Sequence, residues 1–459
     1  MEGVACTFCG CVCDDIRVTV RQNEVIGVER ACTLGRAYLM RPQHGEGVTT
    51  PRVNGKEVSL ECALAEASSI LSRSKYPLIF GLSNTTIEAQ KVAVRLAELI
   101  GASIDSTSSV CHGPGTLAKQ YIGEPTSSLG EVMNRADLVI FWGSNPAESH
   151  PRHMSRYSVM RPGLYVPRGR KDRTVVVVDV RKTPSARAAD LFLRIEPWSD
   201  YRILSNLIRL VKLTPVHELT PVHGSHVHWS QIEALKECSD ESGEDREGRL
   251  PTPDTLQRLA SLMTSCRYGA LFYGVGLTMS RGGMMNVTAA LRLVRELNNF
   301  TRFVIIPMRG HGNVAGIDNV LAWRTGYPFA VNFSRGFPRF GPGEFSAVDL
   351  LCRGEPDAVV VIAADPVSSL PVSAAEHLKR VPTVVIDPYV SPTTEIASVV
   401  LPCAKAGISA SGTYYRMDNV PVPLKRLVAS VYPSDEEILG SIVARIESAM
   451  TGRREVDAR

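Results

Sequence analysis

Five of the 11 cysteines of this 459-residue chain lie within its first 32 residues. Cys6, Cys9 and Cys13 follow a C-x2-C-x3-C pattern, and Cys32 adds a fourth thiol further along. Four thiolates suit either a tetrahedral zinc ion or a 4Fe-4S cluster. A structural zinc site usually pairs two C-x2-4-C motifs, and Cys32 stands alone. The spacing therefore favours a 4Fe-4S cluster, with Cys11 as a surplus thiol that could still replace Cys9 or Cys13.

Another cysteine with chemical potential lies in the segment Ser108–Gly115, which reads SSVCHGPG. Cys111 follows a predicted strand at 102–105 and precedes a helix predicted to begin near Thr116. The amino terminus of a helix favours a thiolate, and the Gly-Pro-Gly loop leaves space in front of it. Cys111 is therefore a candidate nucleophile or soft-metal ligand. The alternative is a buried structural cysteine, with His112 satisfied within the turn.

The rest of the chain is predicted to be α/β, because short β-branched runs alternate with segments of helical periodicity. Strands and helices that alternate in this way form βαβ units around a parallel sheet covered on both faces. The predicted strand runs are Pro77–Gly81, Asp137–Asn145, Thr174–Asp179, Tyr268–Gly276, Phe303–Pro307, Asp357–Asp365 and Val381–Asp387.

Small and polar residues end four of these runs. They are Gly143-Ser144-Asn145-Pro146, Gly274-Val275-Gly276, Ala364-Asp365-Pro366 and Asp387-Pro388. Ligands of parallel α/β folds bind beyond the carboxyl ends of the strands. Small residues let the backbone approach a phosphate or ring, and Asp or Asn can hydrogen-bond a ribose or a guanine edge. Turn geometry alone explains any one of these sequences, but four together predict a large nucleotide-like cofactor.

Composition excludes several other classes of protein. Hydrophobic residues make up 44% of the chain and charged residues 21%, and no apolar run reaches the ~18 residues of a spanning helix. A net charge of +4 is too small to indicate a polyanion-binding surface. The first residues lack a secretory signal, so a cytoplasmic protein is expected. A near-repeated, His-rich stretch from Leu213 to about Pro253 is predicted to be a solvated surface insertion.

Short motifs along nearly the whole chain, taken in order, carry a specific resemblance. They are Cys6-x2-Cys9-x3-Cys13-Asp14-Asp15-Ile16, Val110-Cys111-His112-Gly113-Pro114, Asn134-Arg135-Ala136-Asp137, Trp142-Gly143-Ser144-Asn145-Pro146, His150-Pro151-Arg152-His153-Met154-Ser155-Arg156, Arg168-Gly169-Arg170, Val178-Asp179-Val180-Arg181-Lys182-Thr183, Ser280-Arg281-Gly282, Ile306-Pro307-Met308-Arg309-Gly310-His311, Gly326-Tyr327-Pro328 and Pro392-Thr393-Thr394-Glu395. This set resembles the catalytic B subunits of formylmethanofuran dehydrogenases, in the molybdopterin oxidoreductase superfamily.

The resemblance implies a tungsten or molybdenum atom held by two pyranopterin guanine dinucleotides, with Cys111 as its protein ligand. It implies that a 4Fe-4S cluster at the amino-terminal cysteines delivers electrons and that the metal site reduces carbon dioxide to formate. His112 would be the proton donor or electrostatic partner, because imidazole titrates near neutral pH. Arg281 would hold the carboxylate oxygens, which a guanidinium can bind in a bidentate manner. The sequence does not distinguish tungsten from molybdenum.

The same resemblance assigns cofactor-binding residues and a domain plan. Asn145, Asp179 and Arg181 would serve one pterin dinucleotide, beside Gly143, Ser144 and Gly276 at the strand ends, and Asp365 and Asp387 would serve the other. The implied fold is that of formate dehydrogenases without their carboxyl-terminal β-barrel domain. Its parts are a cluster-binding region at 1–52, one α/β domain at 53–135 with 301–425, a second at 136–300 and a final helix at 426–459.

Partners are also implied by the resemblance: a separate β-barrel subunit that completes the pterin site, an amidohydrolase-like subunit that makes formylmethanofuran, and ferredoxin-like subunits. Two rival hypotheses remain. The chain could be a metal-free scaffold of a formyltransferase/hydrolase complex, although a scaffold has no reason to keep the four cluster cysteines with Cys111, His112 and Arg281. It could instead be a stand-alone formate dehydrogenase. A nitrate or arsenate reductase is less consistent with the adjacent Cys and His.

Overall fold

The computed structural model describes residues 1–43, 45, 47–214 and 251–457, without the side chains of 452–457. Most of the predicted His-rich insertion, including His217, His223, His226 and His228, lies outside the described residues. None of the helices within them is long and apolar enough to cross a membrane.

The strands confirm the predicted parallel α/β architecture. All seven predicted runs contain a strand that begins and ends within about three residues of the expected bounds. In chain order the strands are β1 (Arg17–Arg21), β2 (Glu24–Glu29), β3 (Arg52–Val53), β4 (Lys56–Glu57), β5 (Pro77–Gly81), β6 (Ser103–Ser106), β7 (Leu138–Trp142), β8 (Thr174–Asp179), β9 (Leu191–Arg194), β10 (Tyr268–Tyr273), β11 (Arg302–Pro307), β12 (Val331–Asn332), β13 (Arg339–Phe340), β14 (Ala358–Ile362), β15 (Thr383–Ile386), β16 (Val399–Leu401), β17 (Gly412–Tyr415) and β18 (Pro421–Leu424).

The chain folds as two compact units, one formed by residues 1–110 with 309–459 and the other by residues 111–308. The sequence placed the corresponding boundaries near 135 and 300. The four-part plan drawn from the resemblance stays a prediction.

The second unit is built on a parallel sheet of order β11-β10-β7-β8-β9. Alternate residues such as Ile140, Val176 and Leu271 pack in one apolar cluster with the helices on that face. Thr252 begins one of these helices by accepting a hydrogen bond from the backbone N–H of Thr255, as an amino-terminal cap does. The helices of the unit are Gly113–Ile122, Leu129–Arg135, Pro146–Ser149, the π-helical turn His153–Ser158, the 3-10 turn Gly169–Asp172, Pro184–Arg187, Asp200–Leu213, Pro253–Ser265, Val275–Thr278 and Gly283–Leu297.

The first unit contains a larger sheet of order β13-β12-β6-β5-β14-β15-β16-β3-β4. Its five central strands, β6, β5, β14, β15 and β16, are parallel to one another. Antiparallel strands lie at both edges of the sheet. Because successive side chains of a strand point to opposite faces of the sheet, the core has two apolar clusters. Ile79 and Val360 lie in one cluster, whereas Leu78 and Val361 lie in the other. The helices of the unit are Thr33–Leu39, Leu60–Arg73, Ile87–Ile100, Val314–Thr325, Ala347–Arg353, Pro366–Ser369, Val372–Leu378, Pro392–Ile396 and Asp435–Asp457.

Candidate metal and cofactor sites

The amino-terminal cysteines lie in a tight loop of the first unit. The backbone N–H of Cys6 donates to the carbonyl of Cys13 at 2.9 Å, and the N–H of Val12 donates to the carbonyl of Cys9 at 3.0 Å. Cys6, Cys9 and Cys13 are buried. Cys32 caps the helix Thr33–Leu39, and its Sγ accepts from the N–H of Gly35 at 3.3 Å. The loop and the helix cap therefore present the four predicted ligands in one region.

Gly35 marks the space between two of these sulfurs. A β-carbon at Gly35 would lie 3.0 Å from the Sγ of Cys6 and 3.5 Å from the Sγ of Cys32. Burial raises the pKa of Cys6, and the nearby Cys13, Cys9 and Cys32 raise it further. Among the described residues, no group of three or more His, Cys, Asp or Glu side chains is close enough to hold a single metal ion. Cys6 nevertheless has the other three predicted ligands as neighbours, and four thiolates are the donor set of a 4Fe-4S cluster.

Cys11 is the surplus thiol of this loop. It is almost fully buried, and it forms a hydrogen bond with Cys9 that lowers the pKa of Cys9 and raises the pKa of Cys11. A thiol that donates to the sulfur of a predicted ligand stabilises the thiolate form of that ligand. Cys11 is therefore a direct neighbour of a predicted cluster ligand.

Cys111 opens the second unit, directly before a helix. The helix runs from Gly113 to Ile122, three residues earlier than the predicted start near Thr116, with Pro114 in its first turn. The Sγ of Cys111 lies 2.8 Å from the Nδ1 of His112, and its carbonyl accepts from the hydroxyl of Thr278 at 2.6 Å. Cys111 is partly exposed. Its sulfur is therefore within hydrogen-bonding distance of an imidazole and next to a helix amino terminus, which together favour a thiolate.

His112 is buried against Tyr273, the last residue of β10. Only 1% of the His112 surface is exposed, and the two ring centroids are 5.8 Å apart. Gly115 allows this approach, because a β-carbon there would lie 2.9 Å from the hydroxyl oxygen of Tyr273. The orientation of the imidazole is thus fixed from both sides, by Cys111 and by Tyr273.

The loop that carries Arg281 passes beside this helix start. It begins after Thr278, which donates to Cys111, and it ends at Gly283, whose β-carbon would lie 3.4 Å from Pro114. The buried amide of Asn286 anchors the loop by donating to the carbonyl of Arg281 at 3.3 Å. The Arg281 side chain is exposed. The structure therefore brings the predicted residues Cys111, His112 and Arg281 onto adjoining segments.

The glycines at the strand ends allow two backbone segments of the protein to lie close together. Gly143 adopts a φ of +53°, and its carbonyl accepts from the N–H of Gly276 at 3.0 Å. A β-carbon on Gly143 would lie 2.7 Å from the backbone nitrogen of Leu277, and one on Gly276 would lie 2.8 Å from the α-carbon of Gly143. The sequence attributed these glycines to close approach of a cofactor, and the structure shows that two backbones also meet there. Ser144, beside them, is buried.

Asn145 is held by the short helix Pro184–Arg187, which follows the neighbouring strand β8. Its Oδ1 accepts from the hydroxyl of Ser185 at 2.7 Å and from the backbone N–H of Ser185 at 3.3 Å. The same hydroxyl accepts from the N–H of Ala147 at 3.0 Å. The Nδ2 of Asn145 is buried without a hydrogen-bond partner among the residues that the structure describes. A buried amide group that lacks a partner is costly, so this donor is suited to an acceptor on a bound ligand.

Asp365 repeats this arrangement in the first unit. Its Oδ1 accepts from the hydroxyl and the backbone N–H of Thr393, and the Thr393 hydroxyl accepts from the N–H of Val367 at 3.1 Å. Ala363, two residues before Asp365, has a φ of +49°, as Gly143 has a positive φ two residues before Asn145. Each unit thus presents one polar residue followed by proline at a strand end, in the same hydrogen-bond pattern.

Asp179 and Arg181 lie on the loop after β8. Asp179 accepts from the backbone N–H of Arg181 at 3.4 Å, and partial burial raises the pKa of Asp179. The Arg181 side chain is exposed. Both residues therefore lie at the carboxyl end of β8, beside the end of the neighbouring parallel strand β7 that presents Asn145.

Asp387 follows β15 and has a neighbour that sequence reasoning missed. Burial raises the pKa of Asp387, whereas the nearby cation of Lys405 opposes that rise. Lys405 is buried, with its Nζ 5.0 Å from the ring centroid of Tyr38 and 5.6 Å from that of Tyr389. A buried lysine needs such partners. In the sequence it is one lysine after a short strand, with no pattern to mark its burial.

Solved structures show which fold this is. The chain matches the formyltransferase/hydrolase complex FhcABCD from Methylorubrum extorquens with a TM-score of 0.66 and 21% identity, over 88% of this chain and 100% of that one. It matches acetylene hydratase from Pelobacter acetylenicus with a TM-score of 0.69 and 13% identity, over 97% of this chain and 69% of that one. No protein-family model matches the chain. The two parallel-sheet units therefore have the α/β fold of these two solved structures.

Sequence relatives identify the family. The chain is 41% identical to the B subunit of the tungsten-containing formylmethanofuran dehydrogenase 2 of Methanocaldococcus jannaschii, over 98% of this chain and 99% of that protein. It is 39% identical to the protein of the same name from Methanococcus maripaludis, over 97% and 98%. The chain belongs to the family of formylmethanofuran dehydrogenase B subunits and is an oxidoreductase.

Proposed function

We propose that the chain is the catalytic redox subunit of a cytoplasmic formylmethanofuran dehydrogenase, which reduces carbon dioxide to formate reversibly as a step of methanogenesis or of its reverse. The observation that carries this proposal is the Cys111–His112 pair, with a sulfur-to-nitrogen distance of 2.8 Å at a helix start beside the Arg281 loop. Family membership gives the reaction class.

The residues present fit the groups that this reaction needs. Cys111 would ligate tungsten or molybdenum, since a thiolate suits a soft coordination sphere. The buried Nδ2 of Asn145 and the carboxylates of Asp179, Asp365 and Asp387, with Arg181, would hold two pyranopterin guanine dinucleotides. The metal, when bound, supplies two-electron chemistry at carbon. Cys6, Cys9, Cys13 and Cys32 would hold the 4Fe-4S cluster.

The side chains around Cys111 then have separate roles. Reduction of carbon dioxide to formate takes up two electrons and one proton. His112 would hold that proton at its imidazole, whose orientation Tyr273 fixes. Arg281 would bind the two oxygens of the substrate and stabilise the charge that grows on them. The buried face of His112 keeps bulk water away from the proton.

Partner subunits complete the proposal. A β-barrel subunit would cover the pterins, an amidohydrolase-like subunit would condense formate with methanofuran, and ferredoxin-like subunits would supply electrons. The structural match to one chain of a four-component formyltransferase/hydrolase complex supports assembly with other subunits.

The first test is the composition of the native complex, purified without oxygen. We expect about one tungsten or molybdenum, about two pterins and at least four irons for each copy of this chain. Metal analysis and pterin fluorescence measure them. Intact complex without metal or pterin would contradict the redox assignment and favour the scaffold alternative, which the 23% identity to the B subunit of the Methylorubrum extorquens complex keeps as the second candidate. Free formate as the sole product of a complete complex would favour a formate dehydrogenase.

Replacing Arg281 by Ala tests the proposed substrate contact. A hydrogen bond to a charged partner contributes ~1.5–3 kcal/mol, so kcat/KM for formate should fall roughly 10- to 100-fold. Tungsten or molybdenum content should stay at the wild-type value, because Arg281 is exposed and supports no part of the core. Steady-state kinetics with a viologen acceptor measure the change, with Arg335→Ala as the control for loss of another exposed arginine. Unchanged kinetics would show that Arg281 does not contact the substrate.

A further inference from the structure

The segment Arg309–Gly312, here called the strap, lies backbone to backbone along the cluster-binding loop. Cys9 and His311 form an antiparallel bridge. A side chain at Gly10 would collide with the carbonyl of Arg309, and one at Gly312 would collide with the carbonyl of Thr7. The strap and the loop therefore cannot separate or slide without breaking this packing, and two glycines make the approach possible.

The strap also contacts the segment that leads to Cys111. Arg309 forms a buried ion pair with Asp318, and the same Asp318 oxygen accepts from the hydroxyl of Ser108 at 3.1 Å. The Nδ1 of His311 lies 3.5 Å from the hydroxyl oxygen of Thr107. Thr107 thus contacts the strap directly, and Ser108 is joined to the strap through Asp318.

Ser109, the next residue along the chain, forms a hydrogen bond with a different buried carboxylate, that of Asp105. The hydroxyl of Ser109 donates to Asp105 at 2.7 Å, and Asp105 also accepts from the backbone N–H groups of Ala330 and Ala347. Asp105 is fully buried in β6. The run Thr107–Ser109 therefore has every hydroxyl engaged within the first unit, immediately before the chain reaches Cys111.

We propose that Asp318 is a positioning residue, which through Arg309 and Ser108 ties the cluster-binding loop to the segment that ends at Cys111. The proposal rests on the proposed function and adds a chain of contacts, within the first unit, from the cluster-binding loop to the residues that precede Cys111. Ser108 is completely buried, and Arg309 and Asp318 are 5% and 6% exposed. Water screens such a pair little, and removing one charge of a buried pair is strongly destabilising. One carboxylate oxygen of Asp318 contacts both Arg309 and Ser108.

The test uses Asp318→Asn in the assembled, metal-loaded complex. Asn keeps the size of the side chain but not the charge that Arg309 requires. We expect wild-type iron, metal and pterin contents, with the single-turnover rate of electron transfer from cluster to metal reduced roughly 10- to 100-fold, as for small misplacements of reacting groups. The magnetic interaction between the reduced cluster and the paramagnetic metal, measured by electron paramagnetic resonance, should weaken in parallel.

Asp200→Asn is the matched control. Asp200 is also a buried carboxylate, but it lies in the second unit, where it accepts from the indole of Trp142 at 2.8 Å. A rate and a magnetic interaction equal to wild type are expected there. The same result in fully loaded Asp318→Asn would overturn the proposal, because a purely structural role would change only thermal stability.

A second variant covers the case in which Asp318→Asn fails to assemble. Ser108→Ala removes one hydroxyl and leaves the ion pair of Arg309 and Asp318 in place. It should slow electron transfer in the same direction by a smaller factor, and a wild-type rate would overturn the link. Wild-type complex without a cluster or metal would overturn the proposed function itself, and the inference with it. Loaded wild-type complex with unaffected variants would overturn the inference alone.

Discussion

Complex that carries Cys111→Ala is expected to lose viologen-linked formate oxidation by at least about 10³-fold, as when a group bonded to the reacting centre is removed. The sulfur of Cys111 is the only atom of that side chain that can ligate a metal, and it faces His112 at 2.8 Å. The subunits should still assemble, because Cys111 is partly exposed and its structural hydrogen bond, from Thr278, uses its carbonyl. Anaerobic activity assays and size-exclusion chromatography measure the two outcomes.

Cys266→Ala is the control for this experiment. Cys266 lies in the same unit, and burial raises its pKa to about 12, so it stays a neutral thiol at physiological pH. Its Sγ donates to the carbonyl of Met263 at 3.3 Å. Full activity is expected in this variant. Full activity in Cys111→Ala as well would remove Cys111 from the ligand set.

The second large effect is expected from Cys32→Ala, which should deprive the chain of its cluster. Cys32 is distant in sequence from the other three predicted ligands, yet its sulfur and that of Cys6 would lie 3.5 Å and 3.0 Å from a β-carbon at Gly35. Three thiolates hold a 4Fe-4S cluster incompletely. Iron content should fall by about four atoms per chain, with loss of the visible absorption of the cluster, and turnover with a protein electron donor should cease.

Cys11→Ala separates a ligand from a neighbour in the same loop. Because Cys11 forms a hydrogen bond with Cys9, its removal should shift the potential of the cluster but preserve the iron. Loss of iron from Cys11→Ala, with retention in Cys9→Ala or Cys13→Ala, would show that Cys11 is the true ligand. Retention of iron in Cys32→Ala would contradict the cluster assignment.

The strands and their polar ends could be predicted from sequence because they depend on local pattern. β5 and β8 have the predicted bounds, since each β-branched run is short and bounded by turn residues. The position of Cys111 between a strand and a helix was predicted for the same reason, and its role as a ligand stays a prediction. A local sequence pattern therefore predicts which residues lie at the end of a strand.

Other parts of the candidate sites depend on residues that meet only in the folded chain. The contacts of Asn145 with Ser185 and of Asp318 with Ser108 join distant segments, and no spacing rule links them. The sequence does not indicate that Lys405 is buried, because lysines are normally exposed. Its burial depends on the contacts with Tyr38 and Tyr389. Tertiary packing decides these cases. It also explains why residue 143 is a glycine, because two backbone segments meet there, and the sequence motif does not show that contact.

The shared hydrogen-bond pattern of Asn145 and Asp365 has a consequence for the ligands that each unit can bind. Each side chain precedes a proline, accepts from the hydroxyl and the backbone N–H of a later residue, and follows a residue of positive φ two positions earlier. The two side chains differ in one group: Asn145 offers an N–H donor, whereas Asp365 offers only acceptors when ionised. We therefore expect a ligand of the second unit to present an acceptor to Asn145, and a ligand of the first unit to present a donor to Asp365.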